Sequence, residues 1–537
     1  MTRTKAWLTA VAGLLLLAAC GREEVPETPA SFRSISPAVS SVTIPEGGSV
    51  ELDFFVKDIN FLFNYDVQSP SCQISLRRSG GSVPEYFAIT SVRKTDSPGG
   101  YTAVISDRGV DPDYQEKVCL AMLVNPGLAN ESLILSGEFT VQSEAAADGR
   151  LRVRTGLPVV YIDTDGGKAV DSKDVFRPGT VSIKSFGQYE DLPEMACEIR
   201  GRGNTTWWWP KKPYLLRLSE KQHIFGMHKH KRWVLLANFM DRTLMRNIVS
   251  MKVASMTSLA WTPGCVPVEL VLNGKHMGNY LLIEQVRVDN HRVDISKEGY
   301  LLELDFHYDN EVQWIDPHGR CNQRWDGIPF AVKYPDADSL TATQTAYIKK
   351  YISDAATALY GSNFKDPDKG YAQYIDIDSF IDYWIVFEVM GNHELGNPGS
   401  VFFHKEKGGK LVAGPCWDFD WGVLSYRTSP QARTGLVNGN AIWYARLFED
   451  PAFKAKVKTR FQELLPQLET IPSYIDETEA LLQKSADLNF NLWDPAEDAS
   501  QNGGSIINGD ENLSFHEAVV RLRTIYEERL EVIQKNL

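Results

Sequence analysis

The hydrophobic pattern of this chain changes its period near Thr341, and this change constrains the fold more than any other feature. Before it, short runs of alternating apolar and polar residues are broken by turn residues, as is typical of β-strands. After it, apolar residues recur at helical spacing. We therefore predict an α+β fold in which a β-rich part precedes a helical part.

The segment from residue 42 to residue 145 contains short alternating runs separated by pairs of glycines. Several short strands at this spacing predict a β-sandwich, and the segment resembles the immunoglobulin-like modules of bacterial surface proteins. No aromatic or charged cluster stands out in it, so we interpret it as a spacer rather than a ligand-binding module. Residues 145–150 form a small polar break, and residues 151–537 follow as a second domain.

The second domain begins with predicted strands and ends with predicted helices. The strands are expected at residues 157–164, 180–185, 196–200, 214–218, 268–272, 278–285 and 300–304. Asn273-Gly274 is typical of a hairpin turn between two of them. The helices are expected at residues 241–256, from about 378, at 451–486 and from 514 onward. This order predicts a two-lobed body.

The first 20 residues predict the location of the chain. Arg3 and Lys5 precede a short apolar run that ends in Ala18-Ala19 before Cys20, as in a bacterial lipoprotein signal peptide. The run is shorter than the roughly 20 residues that span a membrane. We predict that residues 1–19 are removed, that Cys20 is lipidated and that residues 20–41 form a tether. The protein would lie in the cell envelope, at the outer membrane or surface of a diderm bacterium; secretion without a lipid anchor is the alternative.

Charge and cysteine content exclude some classes of function. The net charge of −13 argues against nucleic-acid partners. The sequence has no second long apolar run, so we expect the lipid anchor to be its one contact with the membrane. None of the remaining cysteines shows metal-binding spacing. Cys72 and Cys119 are the two cysteines of the first domain, so they are the pair expected if a disulfide forms.

Two polar segments of the β-rich half could bind an anion. Gly201 and Gly203 form a Gly-x-Gly turn whose backbone amides could approach a phosphate, with Lys212 and Arg217 close behind it in the sequence. A tight hairpin with solvated basic residues is the alternative. Further along, Arg246 could neutralise an anion in a cleft or form a structural salt bridge.

The third polar segment indicates a divalent-cation site. The loop of residues 391–400 contains Glu394, and after a predicted hairpin come Asp418 and Asp420 between aromatic residues. Hard carboxylate oxygens suit Mg²⁺. His393-Glu394 does not begin a zinc-protease motif, because the position that would need a second histidine is Asn397.

Nine short motifs resemble the spore-coat CotH kinase family, in the family order over residues 151–422. They are RGRGNTTW at 200–207, KKPY at 211–214, WVLLAN at 233–238, LMRN at 244–247, LNG at 272–274, GNYLLIEQ at 278–285, GYLLELD at 299–305, SFIDY at 379–383 and GPCWDFDWG at 414–422. The resemblance implies an atypical protein-kinase-like fold that uses Mg²⁺ and ATP to phosphorylate protein hydroxyl groups.

The resemblance also implies roles for individual residues. Asp418 would bind the metal with support from Asp420, Ser400 would be a further metal residue near the position expected for a metal-binding asparagine, and the catalytic base would be Glu394. The nucleotide would contact Gly201, Gly203, Lys212 or Arg217, with Glu284 near the hinge between lobes. Phosphoryl transfer requires mainly positioning and charge neutralisation, so this small set could suffice.

The chain departs from the family at the predicted base. Asn392-His393-Glu394 stands where the family often has Asn-Pro-Asp, and Gly399 occupies the position of the kinase asparagine. A location outside the cytoplasm would also offer little ATP. An alternative is therefore an inactive surface protein that binds a glycan, a peptide or a protein. A glycan hydrolase using Glu394 and Asp418 is a third, less supported, alternative.

Overall fold

The fold is described from a computed structural model. It covers residues 33–45, 49–58, 72–84, 87–107, 110–111, 115–129, 131–143, 151–306, 311–321, 326–496 and 508–537. The predicted signal peptide and Cys20 lie outside these residues. The chain divides into two compact units, Met1–Arg154 and Thr155–Leu537. Among the described helices, none has the length and apolar character that a membrane span requires.

The described part of the first unit is built from β-strands. They are β1 (Arg33–Pro37), β2 (Ser41–Ile44), β3 (Ser49–Asp58), β4 (Cys72–Arg77), β5 (Phe87–Lys94), β6 (Gly100–Asp107), β7 (Val110–Asp111), β8 (Gln115–Val124), β9 (Ser132–Leu135), β10 (Phe139–Ser143) and β11 (Arg152–Val153). β1 falls within the segment predicted as a tether. Strand order is β1-β3-β6-β5 in one sheet and β2-β10-β8-β4 in another, where β9 also pairs with β8.

Both sheets contribute to one hydrophobic core, because alternate residues of a strand point to the same face. Leu52 and Phe54 of β3 are buried with Leu120 and Met122 of β8. The immunoglobulin-like character of this unit stays a prediction.

The predicted disulfide between Cys72 and Cys119 is wrong. In the pairing of β4 with β8, Cys72 lies opposite Val124 and Cys119 lies opposite Arg77. The two cysteines are thus five residues apart along the strands, about 17 Å at the usual rise. A disulfide needs Cα atoms within about 7 Å.

The second unit begins with a closed barrel. Its strands are β12 (Val159–Thr164), β13 (Arg177–Lys184), β14 (Leu192–Gly201), β15 (Tyr214–Gln222), β16 (His230–Leu236), β17 (Cys265–Leu272) and β18 (Lys275–Glu284). They follow the order β12-β13-β14-β15-β16-β18-β17, and a parallel pairing of β12 with β17 closes the ring. The β17–β18 turn is the predicted Asn273-Gly274, with φ of 52° and 73°, as a type I′ hairpin turn requires.

The barrel has a filled interior and one apolar outer wall. Leu216 and Trp233 point inward with the other residues of the barrel core. Their neighbours Leu215 and Val234 point outward and are buried in the larger core that includes the helices. One wall of the barrel therefore packs against the rest of this unit.

The rest of the second unit combines a second sheet with helices. The sheet has the order β20-β21-β19-β22-β23, formed by β19 (Tyr300–Leu304), β20 (Gln313–Arg320), β21 (Asp326–Tyr334), β22 (Val401–Lys405) and β23 (Leu411–Ala413). The helices are α1 (Arg246–Ala254), α2 (Ala342–Tyr360), α3 (Ile377–Val389), α4 (Tyr444–Leu447), α5 (Pro451–Leu468), α6 (Ile471–Leu492) and α7 (Phe515–Asn536). A β-rich part followed by a helical part confirms the α+β prediction at this level.

Helix boundaries were predicted with mixed success. Asp241 does not cap α1, which begins five residues later at Arg246. The helix expected at residues 451–486 is two helices, α5 and α6. Ser514 caps α7 as predicted, and with Glu517 it forms a reciprocal capping box.

Candidate functional site

The loop that follows β23 carries the two predicted metal ligands, Asp418 and Asp420. We call residues 416–424 the acid loop. Asp418 has a φ of 62°, a left-handed conformation that is unfavourable for residues other than glycine and tolerated best by asparagine and aspartate. Both aspartates are partly exposed, on either side of the buried Phe419. Residues held in such conformations concentrate at functional sites.

Helix α1 holds the centre of the acid loop. The side-chain oxygen of Asn247 accepts a hydrogen bond from the backbone N–H of Phe419 at 2.7 Å. The Phe419 ring packs against Phe387 of α3 with ring centres 4.8 Å apart. The backbone between the two aspartates is therefore fixed from two sides.

Arg246 is a structural residue rather than a ligand for an anion. Its guanidinium is buried, pairs with Asp241 and Asp510, and donates to the carbonyl of Val423 at 2.9 Å. The two carboxylates raise the pKa of Arg246 although burial opposes this. Of the two readings of this residue, the salt bridge is confirmed.

Asn508 holds the end of the acid loop. Its side-chain amide donates to the carbonyl of Asp420 at 3.1 Å and to that of Met240 at 3.3 Å, and its oxygen accepts from the N–H of Gly422 at 3.0 Å. Asn508 is buried. Nothing in its Gly/Asn-rich surroundings in the sequence distinguishes it, so it was not predicted.

Glu394 lies in the short turn after α3. The Asn392 side chain accepts the N–H of Glu394 at 2.8 Å, and the Asn438 amide donates to the carbonyl of Asn392 at 2.9 Å. The side chain of Glu394 is partly exposed. A β-carbon added at Gly399 would lie 3.7 Å from its carboxylate, so the position of the kinase asparagine is beside the predicted base.

The structure brings Glu394, Asp418 and Asp420 into one electrostatic cluster, together with Asp305 at the end of β19. Burial raises the pKa of Glu394 well above its usual value, and the charges of Asp418, Asp420 and Asp305 raise it further. Burial and then Asp418 raise the pKa of Asp420 in the same way. The pKa of Asp418 is also raised by burial, with Arg202 acting against this. We call these four acids the carboxylate cluster.

Arg202 is the cation that faces the carboxylate cluster. Burial lowers the pKa of its guanidinium, whereas Asp418 and then Asp420 raise it. The guanidinium also lies over the Trp417 ring, 5.4 Å from its centre. Arg202 and Asp305 belong to the family-like motifs, but the sequence analysis gave neither of them a role. Each follows the end of a β-strand, and this position was the only sign of a functional role.

The donor set fits a divalent cation that is only partly bound by protein. Among the described residues, no group of three or more His, Cys, Asp or Glu side chains is arranged to hold a metal by itself. Mg²⁺ usually binds through one or two carboxylates, with waters and substrate phosphates completing its coordination. Asp418 and Asp420 provide this kind of partial site: burial raises the pKa of both, and the charge of Asp418 raises that of Asp420 further.

The glycine turn is shaped by its own packing. A β-carbon at Gly201 would lie 2.2 Å from the Trp207 ring, and one at Gly203 would lie 2.0 Å from the Thr206 hydroxyl. Lys212 donates to the carbonyl of Trp207 at 2.7 Å. These contacts explain why residues 201 and 203 are glycines and what the Lys212 ammonium binds, without a bound phosphate. The nucleotide-binding roles of the three residues therefore stay predictions.

Lys211, not Lys212, is the buried lysine of this turn. Its ammonium donates to the carbonyls of Ala237 and Asn279 and to the side-chain oxygen of Asn489 on α6. Burial lowers the pKa of Lys211 to about 7. Lys211 joins the turn to two barrel strands and to α6.

The remaining predicted site residues have other partners. Arg217 pairs with Glu198 on the outer face of the barrel. Glu284 accepts the N–H of Gly264 at 2.9 Å, and burial raises its pKa. In the described part of the chain, the Ser400 hydroxyl makes no hydrogen bond to the carboxylate cluster, although Ser400 has a φ of 58°. Their proposed roles stay predictions.

Tryptophans surround the acid loop. The ring of Trp209 stacks on Phe239 at 5.5 Å, and Trp421 and Trp493 pack against the same small cluster. Trp208 is 84% exposed. Trp421 of the acid loop thus belongs to a small aromatic cluster with Trp209 and Trp493.

The fold and the carboxylate cluster define an α+β protein with a site suited to a cation and an anionic ligand. The chain belongs to the CotH kinase protein family, whose sequence profile matches residues 199–533. Family membership makes it a kinase-like protein. No curated protein matches it significantly.

Two solved structures show limited similarity. One comes from work on T cell specificity and activation by the bacterial superantigen toxic shock syndrome toxin-1, with 12% identity over 21% of this chain and 99% of the other, and a TM-score of 0.15. The other is a marsupial T cell receptor, with 11% identity over 38% of this chain and 57% of the other, and a TM-score of 0.17. Neither similarity is strong enough to inform the fold.

Proposed function

We propose that this protein transfers a phosphoryl group from Mg²⁺-bound ATP to hydroxyl groups of a protein. The observation that carries this proposal is the convergence of Asp418 and Asp420 on one cation, Arg202, while the same two acids act on Glu394, in a member of the CotH kinase protein family. Acidic groups that outnumber the cations around them favour a bound divalent ion.

Asp418 and Asp420 are the residues that would hold magnesium. The ion would neutralise phosphate charge in the reaction. The contributions of the chain are positional: Asn247 fixes the backbone between the two aspartates, and Asn508 fixes the carbonyl of Asp420. A rigid loop keeps both carboxylates in place, and phosphoryl transfer depends strongly on such positioning.

Glu394 is the proposed general base. Burial and the charges of the neighbouring acids raise its pKa well above its usual value, which favours the protonated carboxyl while those acids are unneutralised. A positive charge placed among these acids lowers that pKa, and Glu394 can then accept the proton of a substrate hydroxyl. The base would thus become competent only when the site is occupied.

Arg202 is the proposed phosphate-binding cation, in place of Lys212 or Arg217. Its guanidinium already faces Asp418 and Asp420, whereas Lys212 and Arg217 are engaged by Trp207 and Glu198. A guanidinium can bind a phosphate through two parallel hydrogen bonds.

A binding protein without catalysis is the second candidate function. The exposed ring of Trp208 favours it, because a tryptophan that is 84% exposed suits stacking on a glycan or contact with a peptide. Such a protein would need no base at Glu394, where the chain departs from the family.

Calorimetric titration of Mg²⁺-ATP into the purified protein tests the proposal. Asp418→Asn keeps a residue that tolerates the left-handed backbone, so it removes the charge with little strain. Asp378→Asn is the matched control, since this aspartate is 84% exposed on α3 and pairs with Lys456. Magnesium-dependent binding that is lost only in Asp418→Asn supports phosphotransfer. Absence of binding by folded wild-type protein rejects it in favour of the binding protein.

We also propose that the protein is anchored in the cell envelope by lipid on Cys20, at the outer membrane or surface of a diderm bacterium. The signal-like residues 1–19 support this. Metabolic labelling with a palmitate analogue, compared between wild type and Cys20→Ser, tests the anchor.

A further inference from the structure

A row of arginines crosses the outer face of the barrel. Arg200, Arg217 and Arg232 lie on the neighbouring strands β14, β15 and β16. Each is adjacent in sequence to a residue buried in the barrel interior, namely Ile199, Leu216 and Trp233. Because side chains alternate along a strand, all three arginines point outward. Arg287 follows the next strand, β18; we call these four residues the arginine row.

The arginines of this row are close to one another. Arg217 and Arg232 are directly opposite in the pairing of β15 with β16, an arrangement of like charges that destabilises a sheet. The guanidiniums of Arg217 and Arg200 lie 4.4 and 5.2 Å from the centre of the Phe176 ring. Burial lowers the pKa of Arg232, and the charges of Arg287, Arg217 and Arg200 lower it further.

Acidic side chains balance part of the arginine row. Glu198 pairs with Arg217, and Asp336 acts on Arg232 from a distance. Within the described ranges, Arg232 and Arg287 have no carboxylate at ion-pair distance. Excess positive charge is unexpected on a chain whose net charge is −13, and an anion from outside would relieve the repulsion.

The length of the arginine row indicates the size of the anion that would bind along it. Neighbouring strands are about 4.8 Å apart, so four of them span roughly 14 Å. A single phosphate is too small to contact the whole row, whereas about four residues of an extended peptide match it. The acidic surface elsewhere disfavours a long, uniformly charged polymer such as a nucleic acid.

The arginine row begins beside the carboxylate cluster. Arg202, which faces that cluster, follows Arg200 by two residues, and the charge of Arg200 acts on it. A ligand bound along the row therefore has one end near Arg202 and the two aspartates that face it, Asp418 and Asp420.

We propose that the arginine row binds an acidic segment of a polypeptide. This inference rests on the proposed function: the acidic segment would flank the hydroxyl that receives the phosphoryl group. The substrate class is then a protein whose phosphorylated serine or threonine is followed or preceded by several Asp or Glu residues.

Fluorescence anisotropy with a labelled ten-residue peptide of alternating Glu and Ser tests the proposal without ATP. Arg232→Gln/Arg287→Gln removes the two arginines that lack a paired carboxylate. We expect binding to weaken at least about tenfold, and the wild-type affinity to fall as salt is added. The control Arg93→Gln/Arg523→Gln loses the same charge from exposed residues elsewhere and should bind like wild type.

Three results would overturn the proposal. They are equal binding by Arg232→Gln/Arg287→Gln and wild type, equal binding of a peptide with Gln in place of Glu, and tighter binding of dextran sulfate than of the peptide. The last would assign the row to an anionic glycan. Parallel titration of Mg²⁺-ATP separates the two proposals: peptide binding without nucleotide binding leaves the arginine row intact and rejects phosphotransfer.

Discussion

The amide of Asn508 and the carbonyl of Asp420 are joined by a 3.1 Å hydrogen bond between residues 88 positions apart. The same amide group binds the backbone of Met240 and Gly422. One buried side chain therefore connects the acid loop to the segment before α1. The geometry of the proposed metal site depends on a residue outside the nine motifs that resemble the family.

Replacing Asn508 with Asp should weaken both the fold and the site. Aspartate has the same shape, but a carboxylate cannot donate to the two carbonyls and adds negative charge near Asp420. We expect the free energy of unfolding in urea to fall by about 1–3 kcal/mol and the affinity for Mg²⁺-ATP to fall at least about tenfold. Asn536→Asp, at an exposed position of α7, should change neither. Unchanged nucleotide affinity in folded Asn508→Asp would show that Asn508 does not position the site.

Removing the charge of Asp420 should stabilise the protein above acidic pH. The pKa of Asp420 is higher in the folded than in the unfolded chain, so its contribution to stability is complete below its unfolded pKa, about 3.9, and is lost as the pH rises through the folded value. Asp420→Asn should match wild type near pH 4 and exceed it by about 1 kcal/mol or more at pH 8.

Urea unfolding from pH 4 to pH 8 measures this difference. Asp378→Asn should show no such trend. Added Mg²⁺ should stabilise wild type more than Asp420→Asn, and so reduce the difference at pH 8. A constant difference across the pH range would contradict the repulsion between Asp418 and Asp420.

Gly201→Ala should disturb the turn around Trp207. Its β-carbon would lie 2.2 Å from the Trp207 ring, so the ring must move, and we expect a loss of about 1–3 kcal/mol in the free energy of unfolding. The emission of the tryptophans should shift as Trp207 becomes more exposed. Gly435→Ala, whose nearest neighbour would be 3.9 Å away, is the control, and equal stability of the two variants would refute this packing.

Lys211→Met should reduce the stability of the protein, whereas Lys212→Met should not reduce nucleotide binding. The family resemblance instead implies a phosphate-binding role for Lys212. Lys211→Met leaves two carbonyls and Asn489 without their donor, which should cost about 2–4 kcal/mol of unfolding free energy. Lys212→Met removes one contact to Trp207 and should leave the affinity for Mg²⁺-ATP unchanged. A large loss of nucleotide affinity in Lys212→Met would restore the phosphate-binding role of that lysine.

Local features of the fold were predictable because their causes are local. The Asn273-Gly274 turn and the Ser514 cap depend on residues within a few positions of one another. Asp241 looked like a helix cap for the same reason. Its carboxylate instead accepts the N–H groups of Thr243 and Arg246 and pairs with the Arg246 guanidinium, so a tertiary ion pair prevailed over the local pattern.

The site was predictable only where sequence motifs mark it. Asp418, Asp420 and Glu394 were predicted from their residue types and order. The opposition of Arg217 and Arg232 depends on strand register, and the role of Asn508 depends on contacts across 88 residues. Neither kind of relationship leaves a periodic signal in a single sequence.

The closure of the barrel has a consequence for how the chain folds. β12 finishes the ring by pairing with β17, and Val159 lies opposite Glu269, so the two edges stay open until a segment some 110 residues later arrives. Closing so long a loop is slow, and unpaired strand edges are templates for joining another molecule. Refolding should therefore be most vulnerable to aggregation at this step. The yield of refolded protein should fall as the protein concentration rises, whereas the stability of the finished barrel should not.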